Sequence, residues 1–120
     1  MDEAQLNLAV KSVEGASLVE ADGDVGPWTT EALHEALREA VKSDSEVVIV
    51  DLRRVKSMDV GALKVLRDAC LSLGPDRKLC AVVRGEPRRL LEVARFDEMF
   101  GIYSKLQDVF EAVGKAGTAA

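Results

Sequence analysis

The 120 residues carry a formal charge of −5, with 48% hydrophobic and 31% charged residues but only 4% aromatics. A chain of this length closes one aliphatic core without metal or disulfides, and its acidic balance excludes sequence-independent nucleic-acid binding, which needs a basic surface. No apolar run approaches the roughly 18–20 residues that span a bilayer, and Met1-Asp2-Glu3-Ala4-Gln5 lacks a signal-peptide core, so a cytoplasmic protein without direct membrane insertion is expected.

Leu6, Leu8 and Val10 alternate with polar or small residues, the period of a strand. Glu14-Gly15 then turns the chain into a second strand over Ala16–Ala21, so the protein opens with a β-hairpin. Asp22-Gly23-Asp24-Val25-Gly26-Pro27 is dense in turn formers and reads as a loop, with Pro27 suited to a first helical turn. From Trp28 to Val41, residues Leu33, Ala36, Leu37, Ala40 and Val41 fall on one helical face.

The β-branched run within Glu46–Leu52 is that of a central strand covered on both faces. A short loop follows, and Asp59 caps a helix with Leu63, Leu66, Cys70 and Leu73 as its buried stripe and Gly74-Pro75 as its stop. Lys78–Val83 is another buried strand, Pro87–Arg95 a helix, and Phe100–Tyr103 a short edge strand. Ser104-Lys105-Leu106-Gln107 fits a capping box before a last helix carrying Leu106, Val109, Phe110 and Val113. The predicted fold is one α/β domain over residues 1–113, with a mixed sheet of about five strands and four helices, and a tail over 114–120. Strands joined by helical crossovers lie parallel, and the opening hairpin adds one antiparallel pair.

Chemistry-bearing residues are few. Cys70 and Cys80 sit in apolar runs and read as buried, reduced thiols. His34 is the only histidine and edges the exposed side of its helix, so no metal site is expected. Gly85-Glu86-Pro87 lacks the pattern of a phosphate loop. With no nucleophile–base set visible, no cofactor and no enzymatic activity are expected.

The stretch Val50-Asp51-Leu52-Arg53-Arg54-Val55-Lys56-Ser57-Met58-Asp59-Val60-Gly61-Ala62-Leu63 resembles the STAS family, named for sulfate transporters and anti-sigma factor antagonists. Asp51-Leu52, Val55, Asp59 and Leu63 occupy the places of that family's strand-end and helix-start residues, and Gly23-Asp24-Val25-Gly26 is similar to its Gly-Glu-Leu-Asp segment. The resemblance runs from about residue 6 to 113 and implies a STAS-like fold and a protein-binding role. In relatives regulated by partner switching, the second serine after the capping Asp is phosphorylated by a kinase that is also the anti-sigma factor. Aligned on Asp59 and Leu63, the two serine positions are Val60 and Gly61, neither with a hydroxyl, and the acidic end of the earlier segment falls on Gly26.

The resemblance thus implies a partner-binding face built from Asp24, Ser57, Asp59, Val60, Gly61, Lys64 and Arg67, with Gly61 as a phosphosite equivalent that cannot be phosphorylated. A charge at residue 61 would sit in the first helical turn, where the dipole favours it, at little expected cost to folding. Ser57 is either a displaced phosphosite or a solvated loop serine, and Thr29 and Thr30 are expected to hydrogen-bond the start of their helix. Arg53, Arg54 and Lys56 are either solvated loop charges or groups that steer an acidic partner surface. The partner is a kinase-like anti-sigma factor in one reading; in the other, the chain is a STAS subunit that contacts a lipid-transporter ATPase.

Overall fold

The computed structural model describes the backbone of residues 5–118 and the side chains of residues 5–113. Strands β1 (Leu6–Val13), β2 (Ala16–Val25), β3 (Val47–Met58), β4 (Lys78–Val82) and β5 (Gly101–Tyr103) lie in that order across one sheet. β1 and β2 pair antiparallel, and all the other neighbours are parallel. The helices are α1 (Thr30–Lys42), α2 (Val60–Leu73), α3 (Gly85–Val93) and α4 (Leu106–Thr118), with a single 3-10 turn at Phe96–Glu98. α4 therefore continues into the stretch that the sequence assigned to a tail.

The hairpin turn is tight: Glu14 and Gly15 both take positive φ, 48° and 84°, the pattern whose twist matches that of the strands it joins. In β3, Val48, Val50 and Leu52 point to one face, where α1, α2 and α3 close the larger core with Leu33, Leu37, Leu66 and Leu91. Val47 and Ile49 point to the other, where Val109 of α4 packs on Leu18, Cys80 and Val82. Burial on both faces is why this stretch is a continuous apolar run instead of an alternating one.

The structure departs from sequence expectation most in β2 and β3. Both strands run on through what read as loops, β2 to Val25 and β3 to Met58. Pairing of β3 with β4 ends at Asp51–Val82, whereas its pairing with β2 continues to Met58–Val25. Two register shifts, between Glu20 and Asp22 and between Gly23 and Asp24, each give β3 one extra residue. A bulge resets the inward–outward alternation, so Val55 joins Leu52 in the core and Met58 packs against it at three-residue intervals. Arg53, Arg54, Lys56 and Ser57 are left exposed in strand, not in loop. Gly23 permits this extension: at φ 132° its Cα faces the Gln5 carbonyl, and a Cβ there would overlap the oxygen.

Smaller departures follow from packing. In α2 the buried residues are Ala62, Val65, Leu66, Ala69 and Leu73, while Leu63 and Cys70 are only half-buried. α3 begins two residues before Pro87 and ends at Val93. Ser104, expected as a cap for the last helix, lies two residues before Leu106, and its hydroxyl instead accepts a hydrogen bond from Arg88 Nη1 at 2.7 Å.

Asp51 is a buried carboxylate at the last pair that β3 makes with β4. It accepts hydrogen bonds from Arg53 Nε at 2.9 Å, Arg53 Nη2 at 2.7 Å and the Arg53 backbone N–H at 3.1 Å. Burial pushes its carboxyl up, but these hydrogen bonds and the charges of Arg53 and Arg54 outweigh burial and hold its pKa below the ordinary value. A carboxyl whose pKa is lowered by folding stabilises the fold above its ordinary pKa, and that contribution is lost as pH falls through the folded value. Melting temperature is expected to fall below about pH 4, and Asp51→Asn to lose part of that acid dependence. Identical acid limbs in the two melting series would contradict the role given to Asp51.

Candidate functional site

The extended ends of β2 and β3 deliver the starts of α1 and α2 side by side. Asp59 follows β3 directly, and its backbone N–H donates to the Val25 carbonyl at 3.2 Å. Its side chain caps α2, with Oδ1 accepting from the Ala62 N–H at 3.2 Å. A capping carboxylate satisfies one of the four donors that every helix leaves unpaired at its start. On the α1 side, Thr29 Oγ1 accepts from Gly26 N–H at 2.9 Å and donates to the Asp24 carbonyl at 2.7 Å, while Thr30 Oγ1 donates to the Gly26 carbonyl at 2.6 Å. The two hydroxyls thus bond the turn that leads into α1, and Thr29, its N-cap, makes no side-chain bond to the helix itself, contrary to expectation.

Gly61 lies in the first turn of α2, against Thr30. A Cβ at residue 61 would meet Asp59 Oδ1 at 3.2 Å, Thr30 Oγ1 at 3.3 Å and Thr30 Cγ2 at 3.4 Å. These contacts are tight enough that Thr30 must shift by a few tenths of an ångström. The expectation that a charge at residue 61 leaves folding nearly untouched is corrected accordingly: the helix dipole favours it, but the side chain crowds Thr30 and the Asp59 cap.

Five of the seven residues expected to form a face meet here. Asp24 and Ser57 are register partners, and Ser57 Oγ donates to Asp24 Oδ1 at 2.8 Å; Asp59, the cap of α2, and Val60 and Gly61, its first two residues, follow one, two and three residues beyond Met58. Ser57 is accordingly an exposed strand residue tied across the ribbon, not a loop serine. Lys64 and Arg67 stand one and two turns further along α2, both exposed. Arg53 turns away to the opposite sheet face to hold Asp51, and Arg54 lies 4.0 Å from Asp22, so of the three basic residues Lys56 alone has no ion pair among the described residues.

Sequence reading missed Trp28. It lies in the turn before α1, five residues ahead of Leu33, off the buried stripe, and is 87% exposed. Val60 is 75% exposed. A lone tryptophan just after Gly26-Pro27 in an aromatic-poor chain was the available signal.

Elsewhere, an open groove of about 610 Å³ on the opposite sheet face is lined by Asn7, Lys11, Glu20, Asp51, Arg53 and Arg84. Its charges are largely matched to each other, with Lys11 Nζ 2.8 Å from Glu20 in addition to the Asp51–Arg53 pair. Cys80 is buried and Cys70 half-buried with Sγ 3.8 Å from the Met99 carbonyl; burial pushes both thiols up, away from the reactive thiolate. His34 stands 3.8 Å from Glu31 on the half-exposed side of α1. Among the described residues no cluster of three metal-ligating side chains occurs, and no helix is long and apolar enough to cross a membrane.

The family model described as "Mlab, STAS domain" matches residues 8–104. The chain belongs to the STAS domain family. Over 109 residues, 90% of this chain and 89% of the relative, it is 27% identical to the anti-sigma-F factor antagonist RsfB of Mycobacterium tuberculosis. The crystal structure of an anti-sigma factor antagonist from Mycobacterium paratuberculosis superposes with a TM-score of 0.87 at 27% identity, covering 91% of this chain and 94% of that one. The Bacillus cell fate determinant SpoIIAA in its phosphorylated form shares the fold, with a TM-score of 0.67 at 9% identity over 89% of this chain and 99% of its own. This STAS domain is therefore related to anti-sigma factor antagonists and has their fold.

Proposed function

We infer that this STAS domain is a non-enzymatic anti-sigma factor antagonist, docking a kinase-like anti-sigma factor on the paired starts of α1 and α2. The observation that carries the reading is the start of α2. Asp59 holds the cap, Gly61 lets the first turn of α2 pack closely on Thr30, and Val60 projects into solvent where a partner surface would meet it. Relationship to RsfB along nearly the whole chain supports the choice of partner.

Partner switching in this reading lacks its usual lever. A phosphate on the second residue of α2 would place roughly two negative charges in the docking surface, but Val60 and Gly61 carry no hydroxyl. The protein is then constitutively competent, or is controlled by means other than phosphorylation at that position.

Titration calorimetry against individually purified anti-sigma factors from the same organism tests the reading, with a lipid-transporter ATPase subunit titrated in parallel. Tight binding to one anti-sigma factor supports it; binding to the ATPase subunit alone overturns it in favour of a transporter role. The missing switch has its own test. With ATP and a kinase-active anti-sigma factor that binds the protein, wild type is expected to gain no phosphate at residues 60 and 61. Gly61→Ser is expected to become a substrate and, once phosphorylated, to lose affinity at least tenfold. A Gly61→Ser protein that folds and binds but is never modified would mean that residue 61 is not the switch position.

A further inference from the structure

We propose that Trp28 is the anchor of the docking surface, seated in an apolar pocket of the anti-sigma factor whose rim is acidic. The proposal rests on the docking reading above and adds the chemistry of the partner. Trp28, at 87% exposure, and Val60, at 75%, are the two most exposed large hydrophobic side chains among the described residues. They flank one contact: Trp28 is two residues before Thr30, and Val60 is next to Gly61, whose Cα faces the Thr30 side chain. An indole left in water gains nothing for the free protein, and tryptophan is the residue type most enriched where binding energy concentrates.

The rest of the surface indicates the rim. Val60, Lys64, Arg67 and Leu71 recur along α2 at spacings of four, three and four, which places them on one side of the helix. All four are exposed, Leu71 at 63%. The stripe therefore runs about 16 Å along the helix, apolar at each end and cationic between, in a chain whose formal charge is −5. Lys64 and Arg67 have no ion pair among the described residues. The nearby carboxylates are otherwise placed: Asp59 caps α2, Asp24 accepts from Ser57, and Glu31 lies by His34; Asp68, four residues after Lys64, is exposed beside the stripe but forms no ion pair with it. A partner with an apolar socket and flanking carboxylates complements this pattern, and its charges would speed the encounter more than they would tighten the complex.

Trp28 is the only tryptophan, so it reports on its own docking. The protein is labelled with 5-fluorotryptophan and titrated with each purified anti-sigma factor, and binding is followed independently by calorimetry. In the complex the single fluorine resonance is expected to shift and its solvent isotope effect to vanish. Trp28→Ala is expected to weaken binding by about 30-fold or more with an unchanged melting temperature, and Trp28→Phe by less. Lys64→Glu with Arg67→Glu is expected to slow association at low salt and to flatten its salt dependence. Calorimetric binding with an unmoved fluorine signal, or a Trp28→Ala variant that binds like wild type, overturns the anchor and leaves the docking reading standing. Absence of binding to any anti-sigma factor overturns both.

Discussion

Arg77→Ala is expected to lower stability by about 3 kcal/mol, a fall in melting temperature of about 10 °C or more for a domain of this size. The guanidinium holds three backbone carbonyls at the end of α1: Nη1 donates to Val41 at 2.7 Å, Nη2 to Ser43 at 2.8 Å and Nε to Ser45 at 2.9 Å. A helix leaves its last four carbonyls without partners, and a cation at that end also meets the negative pole of the dipole. One side chain from the loop before β4 thus ties α1 to the start of β3. Arg77→Lys keeps the charge but not the three-pronged geometry, and is expected to recover only a minor part of the loss. Arg38→Ala is the control, because its exposed contact with Glu35 at 3.4 Å is worth a few tenths of a kcal/mol, roughly. Chemical denaturation of the three variants checks the order. An Arg77→Ala protein as stable as Arg38→Ala would contradict the structural role assigned to Arg77.

Arg77 shows what the sequence leaves unread. Nothing around Asp76-Arg77-Lys78 marks its side chain as different from the other surface cations, because its partners are main-chain carbonyls more than 30 residues away. Thr29 is similar: a hydrogen bond to its own helix start was expected, whereas its hydroxyl ties the Gly26 N–H and the Asp24 carbonyl at the end of β2. The element order, by contrast, could be read directly, since the Val47–Val50 run and the apolar stripe of α1 declare their periods. β3 beyond Leu52 failed for a definite reason. Its bulges space Leu52, Val55 and Met58 by three, which breaks the alternation of a strand, and the stretch therefore looked like a loop. The candidate site was legible as a cap and a glycine through Asp59 and Gly61. Trp28 was not, because a residue just ahead of an amphipathic helix passes for part of it unless its angle to the buried stripe is checked.

Val60→Glu is expected to abolish most partner binding while leaving the fold intact. Val60 is the first residue of α2 and makes no buried contact at 75% exposure. A carboxylate there meets the positive end of the helix and the unpaired N–H groups of the first turn, so stability should change by no more than about 0.5 kcal/mol. Against a partner the same carboxylate must be desolvated, beside Asp59 and facing a surface shaped for an apolar side chain. The cost is a few kcal/mol, roughly, if it finds no cation, which is a loss of about 100-fold in affinity. Val60 is a cleaner probe than Gly61, because a side chain at residue 61 disturbs Thr30 and the Asp59 cap before any partner arrives.

Calorimetric titration of wild type and Val60→Glu with the anti-sigma factor that binds wild type, alongside thermal melts of both proteins, tests the docking claim most directly. The account predicts coincident melts and an affinity at least about 100-fold weaker for Val60→Glu; coincident melts with equal affinities would show that the partner docks away from the start of α2 and would contradict it.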